Sequence, residues 1–263
     1  MLILSDIIRV TKSSVAGAIL RRDPAPIREM AERARAAGAN VIDINAGPLS
    51  RDPQGTMSFL VRAVEDAAPL PVCLDTANPV AMEAGLAAAR NGRAVVNGVS
   101  LEPAKFDAIA PIAARHGALV VAYLLRADGL VPPDAAGRLA AAAELFARLT
   151  DAGVAPERIL FDPVCPPLIW QDGPAQAREV LETVRLLPEV LGYPARTLVG
   201  LSNLTTGAGP RDKKILLQSA FLSMLAAQGL TAVLLDTDLT PVVQAARAAS
   251  LLQSGSVFCW ESL

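Results

Sequence analysis

Four short segments of this 263-residue chain each close an apolar run on an amide or a carboxylate. They are Cys73-Leu74-Asp75, Val96-Asn97, Leu160-Phe161-Asp162 and Gly200-Leu201-Ser202-Asn203. Strands that end this way in a parallel barrel aim their last side chains into one mouth. A carboxylate such as Asp75 or Asp162 presents two acceptor oxygens side by side, a match for adjacent N–H donors on the amidine-like edge of a polar heterocycle. Each aspartate could equally cap a following helix, so the residues alone leave capping and binding open. Asn97 and Asn203 each bring a donor and an acceptor without fixing a charge, although a loop asparagine more commonly satisfies backbone groups.

Asp43 and Asn45, two residues apart in Val41-Ile42-Asp43-Ile44-Asn45, share one strand face and point inward. Such a pair either touches a ligand or forms a polar layer beneath it, because inward polar groups need partners. Arg211 follows the glycine-containing loop 204–210 and could reach an anionic ligand tail, but a surface arginine is the commoner finding. The single histidine, His116, precedes Gly117 and reads as a helix C-terminal residue, where a cation is favoured. Cys165 lies just beyond a strand end with no His or Cys partner in sequence, which makes it a poor nucleophile.

The elements that must position these groups alternate along the whole chain. Short apolar runs at 2–4, 41–45, 72–75, 94–97, 119–124, 159–162, 197–201 and 232–236 predict eight strands. Helical patterns follow them, starting near Pro24, Pro53, Pro79, Pro103, Pro133, Gln176, Asp212 and Pro241. Proline suits a first helical turn because its missing N–H has no intrahelical partner there. Asp23-Pro24, Asp52-Pro53 and Asn78-Pro79 each add a cap-type residue in front of it. Eight repeats without a composition break predict one domain over residues 1–263, a closed (β/α)8 barrel of the TIM type. Hydrophobic residues at 52% against 19% charged suit a parallel sheet buried on both faces. The loops 204–210 and 126–133 would lie on the catalytic face.

Composition also excludes several roles. The net charge is −2 with no basic block, so a nucleic-acid partner is not expected. Cys73, Cys165 and Cys259 are odd in number and far apart, so neither a disulfide framework nor a bound metal is expected. Met1-Leu2-Ile3-Leu4-Ser5-Asp6 is too short and too soon acidic for a signal peptide, and no apolar stretch reaches membrane-spanning length. The cytoplasm is the expected compartment.

An ordered set of motifs carries a family resemblance. Arg22-Asp23-Pro24-Ala25-Pro26, Asp43-Ile44-Asn45-Ala46-Gly47-Pro48, Cys73-Leu74-Asp75, Glu83-Ala84-Gly85-Leu86, Val96-Asn97, Asp162-Pro163 and Gly200-Leu201-Ser202-Asn203 run nearly end to end. In this the chain resembles the methyltetrahydrofolate:corrinoid/iron–sulfur protein methyltransferases, in the pterin-binding barrel superfamily that includes dihydropteroate synthase. The resemblance implies that Asp75, Asn97 and Asp162 hydrogen-bond a pterin ring, with Gly200 and Ser202 on the same contacting strand end. It implies that Asn203 is the catalytic asparagine near N5 and that Arg211 lies near the aminobenzoyl-glutamate portion. It further implies a homodimer, to which the Ala/Leu-rich helix at 138–149 could contribute, and a corrinoid protein as partner. The cobalamin would belong to that partner, since the chain lacks an Asp-x-His-x-x-Gly motif. Ser5-Asp6-Ile7-Ile8-Arg9 stands where the family usually has Gly-Glu-Arg-Ile-Asn, so this strand end is expected to have lost polar groups. Thr206 stands where the family has a glutamine.

The implied reaction moves a methyl group from a tertiary amine, a poor leaving group until N5 gains positive character. A cobalt(I) corrinoid then attacks the methyl carbon in line. Asn203 has no proton of its own to give but can stabilise the charge developing on N5. Two alternatives stand beside this reading. One is a dihydropteroate synthase-like enzyme, which would want a Ser-x-Arg segment near the C-terminus where Val257-Phe258-Cys259-Trp260-Glu261 offers none. The other is a non-catalytic pterin-binding module that partners a corrinoid protein.

Overall fold

The computed structural model describes residues 1–48, 51–254 and 260. Its elements run β1 (Leu2–Arg9), α1 (Ser13–Arg21), α2 (Ala25–Ala36), β2 (Val41–Asn45), α3 (Pro53–Ala67), β3 (Val72–Asp75), α4 (Pro79–Ala88) and β4 (Val95–Val99). They continue with α5 (Pro103–His116), β5 (Leu119–Tyr123), α6 (Ala135–Asp151), β6 (Ile159–Asp162), α7 (Gly173–Leu191), β7 (Arg196–Gly200), α8 (Arg211–Ala227), β8 (Ala232–Leu235) and α9 (Thr240–Gln253). The eight strands pair in chain order and close, β8 lying parallel to β1 with Leu2 opposite Ala232 and Ser5 opposite Leu235. The expected (β/α)8 barrel is the fold. Among the described residues no helix is long and apolar enough to cross a membrane. The segment 257–259 and Glu261, weighed above for a C-terminal arginine motif, lie outside the described residues.

One apolar side chain from each strand meets on the barrel axis: Leu4, Val41, Cys73, Val95, Val121, Leu160, Leu198 and Ala232. This ring is a plug, so the barrel is packed rather than hollow. The outward faces of the strands carry Ile42, Ile44, Leu74, Val96, Val120 and Phe161, all fully buried in the core shared with the surrounding helices. Helix starts follow the proline signals. Asp52 accepts from the Gly55 N–H at the head of α3, and Asn78 accepts from the Val80 and Ala81 N–H groups at the head of α4.

Two features differ from expectation. A short helix, α1, intervenes between β1 and α2. The first strand also extends to Arg9 instead of stopping at Leu4, with a register irregularity against β2 between Ser5 and Ile8. The polar pair Ser5-Asp6 breaks the apolar run in sequence, yet both side chains are buried. Ser5 Oγ lies 2.7 Å from Thr237 Oγ1, a partner after the last strand that no local pattern reveals.

Arg138 on α6 is fully buried and holds together the loops that follow β5 and β6. Its guanidinium donates to Pro163 O at 3.0 Å, Pro133 O at 3.2 Å and Gln176 Oε1 at 3.2 Å. Truncation would leave two buried acceptors, Pro163 O and Gln176 Oε1, unpaired and open a cavity. Arg138→Ala is therefore expected to lower unfolding stability by about 3 kcal/mol or more, read as a lower urea midpoint at unchanged slope.

Candidate active site

Side chains two residues beyond the plug point the same way as the plug, because strand side chains alternate faces. That step turns Leu4 into Asp6, Val41 into Asp43, Cys73 into Asp75, Val95 into Asn97, Val121 into Tyr123, Leu160 into Asp162, Leu198 into Gly200 and Ala232 into Leu234. All eight line one cavity of about 330 Å³ at the strands' C-terminal ends, together with Arg9, Asn45, Leu125, Val164, Ser202 and Asn203. Sequence reasoning named Asp43, Asn45, Asp75, Asn97, Asp162, Gly200, Ser202 and Asn203, and the structure brings all of them together. It missed Asp6, Arg9, Tyr123 and Val164. The two-residue step from the apolar ring would have found Asp6 and Tyr123.

The polar groups are ordered by one another. Asn45 Nδ2 donates to Asp75 Oδ2 at 2.5 Å, while its Oδ1 accepts from the Gly47 N–H at 3.0 Å. Asn97 Nδ2 donates to Asp43 Oδ1 at 3.1 Å, and the Tyr123 hydroxyl donates to Asn97 Oδ1 at 2.6 Å. The orientation of the Asn97 amide is thereby fixed. Asp162 Oδ1 accepts from the Val164 N–H at 2.8 Å. Val164 holds φ 59°, an unusual value for a β-branched residue, and in doing so turns that N–H toward the carboxylate. Neither aspartate caps a helix. Asn78 performs that role for α4, and α7 begins only at Gly173, well beyond Asp162.

On the opposite wall, Ser202 Oγ donates to Asp6 Oδ2 at 2.8 Å. Arg9 reaches Asp236 at 3.0 Å and Asp6 at 3.4 Å. The end of β1 is thus polar, contrary to the expectation drawn from its altered motif: Asp6 and Arg9 both face the mouth.

Burial makes these carboxyl groups reluctant to ionise. It raises Asp43 well above the usual range, with the neighbouring Asp75 adding to the effect, and it raises Asp75 against the pull of Asn45 and Lys105. Asp162 is pushed up from 3.8 to about 7 by burial, despite accepting from the Val164 and Gly200 N–H groups. Asp6 is raised by burial too, with Arg9 and Ser202 acting the other way. The mouth is acidic and rich in acceptors. Among the described residues that line it, Arg9 is the only cation.

Asn203 sits in a short 3-10 turn, Leu201–Thr205, that directly continues β7. It is exposed, and a Cβ at Gly200 would lie 3.4 Å from its Nδ2, so glycine there leaves room for the amide to lie over the strand end. Arg211 is not part of the cavity lining. It is exposed at the head of α8, with Nη2 3.5 Å from Asp238 O. His116 ends α5 as expected and pairs with Glu83 at 2.7 Å. Cys165 is buried, and burial pushes its thiol far up, which removes any nucleophilic role.

A family model described as "Pterin binding enzyme" matches residues 5–236. The chain belongs to the pterin-binding enzyme family. Two curated relatives, both named methionine synthase, are 27% identical. The one from Mycobacterium tuberculosis aligns over 201 residues, covering 73% of this chain and 16% of the relative. The one from Mycobacterium leprae aligns over 222 residues, covering 81% and 18%. The chain thus matches less than a fifth of either relative's length. Among solved structures, a dihydropteroate synthase from Yersinia pestis with a pterine-sulfa conjugate superposes with a TM-score of 0.70 at 17% identity, covering 97% of this chain and 94% of that one. The dihydropteroate synthase of Thermus thermophilus gives 0.65 at 21% identity, covering 87% and 88%. At such identities the structural likeness speaks for the barrel alone.

As a pterin-binding barrel, the chain uses two opposed walls. Asp75 and Asn97 end the neighbouring strands β3 and β4, with Asp162 on β6, whereas Asp6, Ser202 and Asn203 belong to β1 and the turn after β7, which flank β8.

Proposed function

We propose that this chain is a methyltransferase that moves the N5-methyl group of methyltetrahydrofolate to, or from, the cobalt of a corrinoid carried by a partner protein. Asp75 and Asp162 accept from the donor-rich pyrimidine edge of the pterin, and Asn97 joins them with its amide orientation set by Tyr123 and Asp43. Asp43 and Asn45 support that wall. Gly200 and Ser202 shape the opposite side, where Asn203 faces the methyl-bearing N5. Arg211 contributes only if the folate tail extends beyond the cavity to the head of α8.

The observation that carries this reading is the charge of the mouth. Methyl departure requires N5 to become positive, and a wall of aspartates and amides stabilises that charge as it develops. A dihydropteroate synthase would instead expel a diphosphate and need cations to receive it. Here Arg9 is already engaged by Asp236 and Asp6. The methionine synthase similarity points the same way.

Calorimetric titration with methyltetrahydrofolate, followed by an anaerobic methyl-transfer assay with a corrinoid acceptor, tests the proposal. Saturable micromolar binding and transfer are expected. Binding without transfer to any corrinoid acceptor would leave a pterin-binding module, and condensation of a dihydropterin diphosphate with aminobenzoate would overturn the reading in favour of a synthase.

The titration should depend on pH in a stated direction. The Asp162 carboxyl group is held at about 7 in the folded chain, so in the absence of ligand its contribution to stability is complete below pH 4 and is lost as pH rises through 7. A ring donating N–H groups prefers the carboxylate, so binding pulls the pKa back down and releases a proton. The dissociation constant is expected to rise about tenfold between pH 8 and pH 6. Asp162→Asn should flatten that dependence; an unchanged slope would remove Asp162 from ring recognition.

A further inference from the structure

Tyr123 ends β5, the strand between those that carry Asn97 and Asp162, and pairs in register with Asp162. It is partly exposed and lines the cavity. Its hydroxyl hydrogen is already given to Asn97 Oδ1 at 2.6 Å. Burial, with Asp75, Asp162 and Asp43 adding to it, pushes the hydroxyl well above its usual range, so the group stays a neutral phenol. A phenol oxygen accepts as well as donates, and no group among the described residues donates to this one. Toward the cavity, Tyr123 therefore offers an acceptor. Its place is enforced by its surroundings. A Cβ at Gly98 would lie 2.7 Å from Tyr123 Cε2 and 2.8 Å from Val121 O, so glycine in β4 makes room for the ring. Lys105, at the head of α5, lies over that ring at 5.2 Å from its centroid.

The pyrimidine half of a pterin carries N3–H and a 2-amino group with two hydrogens. One carboxylate, whether Asp75 or Asp162, can take N3–H and one amine hydrogen side by side. The second amine hydrogen is then turned toward the strands between those two, β4 and β5. On β4 the Asn97 oxygen already accepts from Tyr123, whereas on β5 the phenol oxygen accepts from nothing in the protein. We propose that Tyr123 is a specificity-determining residue whose phenol oxygen accepts the second hydrogen of the ring's 2-amino group. This deepens the methyltetrahydrofolate reading above and rests on it. A ring with hydrogen at that position brings Tyr123 no donor. A ring with an oxo group there sets lone pairs against the phenol oxygen and the carboxylate together, and a site built to receive N–H groups rejects it. The cavity thus selects 2-amino pteridines over their 2-oxo and 2-desamino counterparts.

The test measures binding of methyltetrahydrofolate and of its 2-desamino analogue to the wild type and to Tyr123→Phe, which together form a closed cycle. Phenylalanine keeps the aromatic packing against Gly98, so the melting temperature should move by less than about 2 °C. Tyr123→Phe is expected to weaken methyltetrahydrofolate about tenfold and the 2-desamino analogue less than about twofold. The same loss with methyltetrahydrofolate should persist when Tyr123→Phe is made in an Asn97→Ala background, since the contact does not run through Asn97. Equal losses for the two ligands, or a loss that vanishes without Asn97, overturn the contact and leave Tyr123 as an orienting group alone. Absence of saturable methyltetrahydrofolate binding by the wild type overturns the folate reading and this proposal together.

Discussion

Asn203→Ala is expected to slow methyl transfer about 10²–10³-fold while raising the dissociation constant of methyltetrahydrofolate no more than about fivefold. The asymmetry follows from where the side chain sits. Asn203 is exposed at the mouth, it lies over Gly200, and no protein group among the described residues takes up its amide. An amide oxygen gains little from a neutral tertiary amine in the ground state. It gains a charge-assisted hydrogen bond once N5 carries a proton, and an interaction made mainly in the transition state lowers kcat without a matching change in affinity. Single-turnover transfer to a reduced corrinoid, measured beside equilibrium binding, separates the two quantities. Equal rates for the variant and the wild type would remove Asn203 from the chemistry, and an affinity loss as large as the rate loss would make it a binding residue.

Asp75→Ala is expected to act on affinity, weakening methyltetrahydrofolate about 10²–10³-fold. Two hydrogen bonds from ring N–H groups to one carboxylate are each worth about 1.5–3 kcal/mol. The loss should come without a loss of fold. Burial raises the pKa of Asp75, so its ionised form is disfavoured in the folded chain, and removing the group removes that cost. Asn45 loses its 2.5 Å partner, but it faces the cavity and water can replace the bond. The check is a binding titration paired with thermal unfolding at pH 8. An unchanged dissociation constant would contradict the assignment, and collapse of the melting temperature would show Asp75 to be structural.

The barrel was legible because its signals are local. Apolar runs are separated by cap-plus-proline pairs, and Asp52 and Asn78 cap α3 and α4 as their positions before proline suggest. Much of the site was legible for a related reason, since Asp75, Asn97 and Asp162 close recognisable strands. Asp6 escaped because Ser5 and Asp6 look like the end of a strand when they are its middle. Their burial is made acceptable by Thr237 and Ser202, residues some two hundred positions away. Tyr123 escaped because a terminal aromatic reads as core, and only the neighbouring Asn97 turns its hydroxyl into an orienting group. Arg211 shows the opposite limit. A motif match supplies a residue's place in order, whereas its reach depends on the turn before α8, and that turn leaves the guanidinium beside Asp238. Whether Asp162 capped a helix turned on the path after Pro163, which carries no regular pattern.

The wall made by Asp6, Arg9 and Ser202 is stitched across the seam of the barrel. Ser202 and Asp6 are 196 residues apart, Arg9 and Asp236 are 227 apart, and Ser5 and Thr237 are 232 apart. During synthesis the first strand therefore emerges, and can pair with β2, long before Ser202, Asp236 and Thr237 exist to meet its polar side chains. The wall with Asp75 and Asn97 can form early, from strands adjacent in chain order, but the wall with Asp6 and Ser202 comes into being only when the last strands dock. The two walls of the cavity thus mature at different moments in the life of the chain. A ligand that touches both walls ties the last strand to the first and so stabilises the closed barrel at its junction of greatest sequence separation.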